Sequence, residues 1–130
     1  MASMKIVIVD DDPDIRETLK CILETRKYMA ITASNKAQGL ETIRAEKPNL
    51  AVLDVMMEAK DDGFEMAREL KQDAEFKDMP ILMLTGVKQE TGIDFKSTAG
   101  DPTWNPVDSF LDKPVKPAAF IAEVEKLLAK

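Results

Sequence analysis

The sequence predicts an α/β domain built on a five-stranded parallel sheet with helices on both faces. Three observations carry that expectation. Strand-like and helix-like patterns alternate from one end of the 130 residues to the other, the connections between them are short, and the strand candidates are continuous apolar runs of the kind that parallel sheets bury on both faces. Right-handed crossovers then place helices on both sides of the sheet. A hydrophobic content of 45% is enough for one core, so residues 1–130 are read as a single domain. The strand pattern starts equally well at Met4, and Met1 to Ser3 are read as added residues ahead of it.

Lys5 to Val9 is a short β-branched run and forms the first strand. Asp12 and Pro13 follow as an N-cap and first-turn pair, opening a helix whose apolar positions Ile15, Leu19, Ile22 and Leu23 keep the 3.6-residue period. Met29 to Ala33 reads as the second strand, and Lys36 to Glu46 as a helix ended by Pro48. Leu50 to Leu53 is a third, fully buried strand with Asp54 at its exit. Gly63 to Lys71 is helical through Phe64, Ala67 and Leu70; Ile81 to Leu84 and Val107 to Leu111 are the last two strands. From Pro117 an amphipathic helix carries Phe120, Val124, Leu127 and Leu128 inward.

Composition excludes several function classes. A net charge of −6 lacks the basic stripe that neutralises nucleic-acid phosphates, so direct nucleic-acid binding is not expected. The run Ile6 to Val9 is too short for a membrane span or a signal-peptide core, which predicts a cytoplasmic chain with no membrane contact. Cys21 is alone, cannot form an internal disulfide, and is expected to pack as an ordinary helix residue. With no histidine, the chain lacks the commonest transition-metal ligand, so any metal is expected to be a hard, oxygen-bound cation such as Mg²⁺.

Ligands of open parallel sheets bind at the carboxyl ends of the strands. Those ends carry Asp10 and Asp11, Asp54, Thr85 and Lys113. Carboxylates converging on one pocket repel one another and cost stability unless a cation is present. Mg²⁺ takes one or two carboxylates, keeps several waters and shares its other sites with phosphate oxygens, which suits Asp11 and Asp54 as direct ligands and Asp10 through water. An aspartate is also a competent nucleophile towards phosphorus, and a metal, an ammonium and a hydroxyl around it make a sufficient set for phosphoryl transfer.

Val9-Asp10-Asp11-Asp12-Pro13-Asp14, Leu53-Asp54, Leu84-Thr85-Gly86 and Phe110-Leu111-Asp112-Lys113-Pro114 resemble, in order, the signature blocks of response-regulator receiver domains, over nearly the whole chain. The resemblance implies a five-stranded sheet of flavodoxin-like order 2-1-3-4-5 and phosphorylation at Asp54. It implies binding of Mg²⁺ or Mn²⁺ by Asp10, Asp11, Asp54 and the backbone carbonyl of Met56, phosphoryl contacts from Thr85 and Lys113, and a switch shared by Thr85 and the strand-five aromatic Phe110. It further implies a module of a two-component system that is not a dedicated enzyme, a phosphoryl donor in a separate histidine kinase or phosphotransfer protein, and a downstream protein target. Lacking histidine, the chain cannot supply the phosphohistidine itself.

Two segments depart from the family pattern. The loop from Asp54 to Gly63 is one residue longer than usual and has Glu58 where a proline is common. Gly86 to Pro106 is longer than usual, holds three glycines and two prolines, and predicts a fourth helix that is short, displaced or missing. This segment, with Ile93, Phe95 and Trp104, is expected to face a partner. Two other functions compete: a degenerate receiver acting only as a binding module, and a phosphatase resembling the haloacid-dehalogenase group. In the latter Asp10 is the nucleophile and Asp12 the acid, with Thr85 and Lys113 supporting.

Overall fold

The structure is a computed structural model, and it describes residues 4–54, 62–85, 108–112 and 115–129. The expectations for the Asp54 to Gly63 loop and for the Gly86 to Pro106 segment, including the fourth helix and Trp104, lie outside the described residues.

The elements follow the predicted order: β1 (Lys5–Val9), α1 (Pro13–Thr25), β2 (Met29–Ala33), α2 (Lys36–Glu46), β3 (Leu50–Asp54), α3 (Asp62–Gln72), β4 (Ile81–Thr85), β5 (Ser109–Asp112) and α4 (Pro117–Leu128). All five strands are parallel, in the order β2-β1-β3-β4-β5. This is the flavodoxin-like order expected from the resemblance. β3 and β4 are buried at every residue because strands lie on both sides of each and helices cover both faces.

The sheet separates two apolar layers. Alternate residues of the central strands point to opposite faces. Val7, Val9, Ala51, Leu53, Ile81 and Met83 pack with Leu40 and Ile43 of α2 and with Phe64, Ala67 and Leu70 of α3. Ile6, Ile8, Leu50, Val52, Leu82 and Leu84 pack with Leu19 and Leu23 of α1 and with Phe120, Val124 and Leu127 of α4. Each of the Val, Leu, Ile, Phe and Met side chains among them contributes about 1.5–3 kcal/mol on full burial, so the register is held firmly: a slip by one residue would turn both sets to the wrong layer.

Local signals set the helix ends. Asp12 caps α1, its side chain accepting from the Asp14 amide at 2.9 Å, with Pro13 in the first turn. α1 ends with the Lys27 amide donating to Glu24 and the Tyr28 amide to Leu23, around a left-handed Lys27 at φ 67°. Asn35 caps α2 by accepting from the Gln38 amide. Cys21, expected to pack as an ordinary helix residue, is exposed on α1, with its thiol 3.8 Å from Glu17, because Leu19 and Leu23 take the buried stripe.

Gly39 lies where α2 crosses β1 and α3. A Cβ there would come within 2.7 Å of Met66 Cε and 2.8 Å of Val9 Cγ1, so only glycine lets the three elements approach this closely.

Candidate functional site

Register brings the site together at the carboxyl edge of the sheet. Val9 pairs with Leu53, so Asp10 leaves β1 beside Asp54, the last residue of β3. Asp54 pairs with Leu84, which puts Thr85 one residue further along β4, and Thr85 pairs with Asp112 of β5. Asp10, Asp54 and Thr85 are buried although polar, at 0%, 4% and 3% exposure, while Asp11 is exposed at the rim.

Asp10, Asp11 and Asp54 each offer a carboxylate oxygen, and the three lie within 4.8 Å of one another. At that spacing their mutual repulsion favours a bound cation, and a set made only of oxygens suits a hard ion. The donor set therefore fits Mg²⁺. Asp54 belongs to the strand itself rather than to the turn after it, so its backbone is held by the ladder. Asp10 is steadied by the Ala33 carbonyl, which accepts from its amide at 3.2 Å, and by the Asp12 amide, which donates to its Oδ1 at 2.9 Å.

Phe110 is 8% exposed and points into the layer shared with α2 and α3, its ring centroid 6.3 Å from that of Phe64. The sequence did not disclose Phe64 as its neighbour. Met56 and Lys113 lie outside the described residues, so the structure places Asp10, Asp11, Asp54, Thr85 and Phe110 of the expected set. Sequence reasoning also missed Arg16, whose Nη1 donates to the Asp10 carbonyl at 2.7 Å. Its place six residues after Asp10, on the first turn of a helix, was the only available signal.

A five-stranded parallel sheet with an acidic pocket at its carboxyl edge suits phosphoryl chemistry, and comparison with known proteins gives the family. The model of the response regulator receiver domain matches residues 6–125, and the chain belongs to that family of two-component signalling modules, which are not dedicated enzymes. It is 35% identical to the probable transcriptional regulator ycf27 of Pyropia yezoensis, over 97% of this chain and 48% of that protein. The chain thus spans about half the length of the first curated relatives it matches. It is 30% identical to protein PilH of Pseudomonas aeruginosa, over 96% of this chain and 98% of PilH. A crystal structure of a putative response regulator from Chloroflexus aurantiacus superposes with a TM-score of 0.84 at 25% identity, covering 99% of this chain and all of that one. Among the described residues, no helix is long and apolar enough to cross a membrane.

Proposed function

We propose that residues 1–130 form a single receiver domain whose Asp54 accepts a phosphoryl group from the phosphohistidine of a histidine kinase or phosphotransfer protein, and that acceptance changes the domain's contacts with a downstream protein. The observation that carries this reading is the buried Asp54 carboxylate at the end of the central strand, with Asp10 and Asp11 close enough to share a cation with it.

In this reading an Asp54 oxygen attacks phosphorus in line with the donor, the P–N bond breaks, and the imidazole leaves and takes up a proton. Asp10, Asp11 and Asp54, with the Met56 carbonyl, would hold Mg²⁺, which when bound would supply positive charge against the phosphoryl oxygens. Thr85 donates a hydroxyl to the phosphoryl group, and Lys113 brings an ammonium. The pull on Thr85 couples to Phe110, which occupies the neighbouring strand and is packed on Phe64. Asp12 gives no support to the phosphatase alternative, since its carboxylate is engaged as the cap of α1.

Incubation with acetyl phosphate and Mg²⁺, followed by mapping of the modified residue, tests the proposal. Modification of Asp54, lost in Asp54→Asn and without added metal, is expected. Uptake on Asp10 by Asp54→Asn at the wild-type rate would favour the phosphatase, and no uptake at all would favour a degenerate binding module.

A further inference from the structure

We propose that Arg16 is a positioning residue for the cation site, acting through the Asp10–Asp11 peptide plane to aim the Asp11 carboxylate. This rests on the reading of Asp10, Asp11 and Asp54 as cation ligands. The guanidinium Nη1 of Arg16 donates to the Asp10 carbonyl at 2.7 Å in a part-buried setting, a charge-assisted bond at the short end of its range. A peptide unit is planar, so the oxygen that Arg16 holds lies in one rigid group with the nitrogen and Cα of Asp11. Fixing that oxygen fixes the nitrogen and Cα of Asp11; with the Asp12 amide on the other flank held by Asp10 Oδ1 at 2.9 Å, little backbone freedom is left to re-aim the Asp11 side chain.

The need for such a device is specific to Asp11. Asp10 is buried and its Oδ1 accepts from the Asp12 amide, and Asp54 is held in the ladder of β3. Asp11 is exposed, and among the described residues its side chain has no hydrogen bond or ion pair. Among the described residues, only its backbone constrains its aim. The Arg16 amide donates to the Asp12 carbonyl at 3.1 Å, a main-chain bond at the start of α1 that either substitution keeps and that holds the base of the Arg16 side chain beside the turn. A lysine keeps the charge and loses the planar fork that meets a carbonyl at fixed geometry.

Charge and position make opposite forecasts. If Arg16 mattered only as a cation near the pocket, removing it would tighten Mg²⁺ binding and lysine would replace it without effect. If it positions Asp11, both Arg16→Gln and Arg16→Lys weaken Mg²⁺ binding about tenfold, the low end of what loss of a ligand-orienting group costs. The second substitution then adds nothing in an Asp11→Ala background, where there is no carboxylate left to aim. Mg²⁺ titration of wild type, the two Arg16 variants, Asp11→Ala and the two double variants measures this. In the metal-free proteins, the NMR order parameter of the Asp11 amide is expected to fall from about 0.85 towards 0.6 in both Arg16 variants, with the amides of Leu19 and Leu23 unchanged. Tighter binding by Arg16→Gln with Arg16→Lys unchanged overturns the proposal, as does an equal loss with and without Asp11, which would mean an effect through the fold at large. Were the wild-type protein itself to show no Mg²⁺ affinity, the cation reading would fall on its own, and the Asp11 order parameter would still decide for or against Arg16.

Discussion

The two ends of the same sheet are built on opposite electrostatic plans. At the amino edge, side chains complete what the ladder leaves open. Asn49 Oδ1 accepts from the Lys5 amide at 2.9 Å while the Asn49 amide donates to the Lys5 carbonyl at 2.8 Å. Asp108 Oδ2 accepts from the Ile81 amide at 2.8 Å and from Lys71 Nζ at 3.2 Å, and Lys71 Nζ also donates to the Met79 carbonyl at 2.7 Å. Opposite charges and satisfied peptides tie β4 and β5 to the end of α3. At the carboxyl edge, three carboxylates stand within 4.8 Å of one another, two of them buried. The amino edge is arranged for stability, and the carboxyl edge gathers like charges that a bound cation would relieve.

The largest stability effect is expected at the amino edge. Asp108→Ala removes the acceptor of the Ile81 amide, whose residue is fully buried, and leaves that N–H without its bond at a cost of about 1–3 kcal/mol. The ion pair to Lys71 adds little, because Asp108 is about a third exposed. Phosphorylation of Asp54 at saturating Mg²⁺ is expected to keep its wild-type rate. Urea unfolding beside an acetyl phosphate assay checks both halves, and a variant as stable as wild type would remove the contrast between the ends.

Gly39→Ala is next, at about 1 kcal/mol of net destabilisation. Alanine favours the helix by about 1 kcal/mol, but the added methyl overpacks at about 1–3 kcal/mol. Met66 Cε is the tip of a flexible side chain and yields. The Val9 methyls branch from the strand itself, so the push moves β1 just ahead of Asp10. Weaker Mg²⁺ binding is therefore expected with the lower melting point; a lowered melting point at unchanged Mg²⁺ affinity would show that the carboxyl edge is insulated from its strand.

Much of this was legible in the sequence, for identifiable reasons. β1, β2 and α2 fall on the expected residues and α1 opens at Pro13, because the apolar runs, Asp12–Pro13 and Pro48 are local signals that the tertiary structure does not override. The convergence of Asp10, Asp11 and Asp54 was legible too, since parallel strands align their carboxyl ends and all three stand at those ends. β3 and β4 each extend one residue beyond expectation, into Asp54 and Thr85, because ladder pairing with neighbours continues past the apolar run. Arg16, Asn49 and Asp108 escaped notice because each acts on a backbone group of another element, and a polar side chain near a turn looks the same whether it faces water or a carbonyl six residues away. Cys21 misled because an α-helix of this amphipathic pattern has room for small residues on its open face as well as its covered one.

The smallest effect is also the one of opposite sign. Asp11→Ala takes one charge from the crowded carboxyl edge, and because Asp11 is exposed the repulsion it relieves is largely screened. The metal-free variant is expected to melt about 1–2 °C above wild type, the shift that a few tenths of a kcal/mol makes in a domain of this size. Mg²⁺ reverses the order. At an Mg²⁺ concentration a hundredfold above the wild-type Kd, wild type gains about 2.7 kcal/mol, and a variant binding tenfold more weakly gains about 1.4 kcal/mol. The melting curves of the two proteins should therefore cross between metal-free and Mg²⁺-saturated conditions, which no purely structural role of Asp11 produces. A variant that melts below wild type without metal, and keeps the full Mg²⁺ shift, would mean that Asp11 supports the turn rather than the cation, and the electrostatic contrast between the two edges would then rest on Asp10 and Asp54 alone.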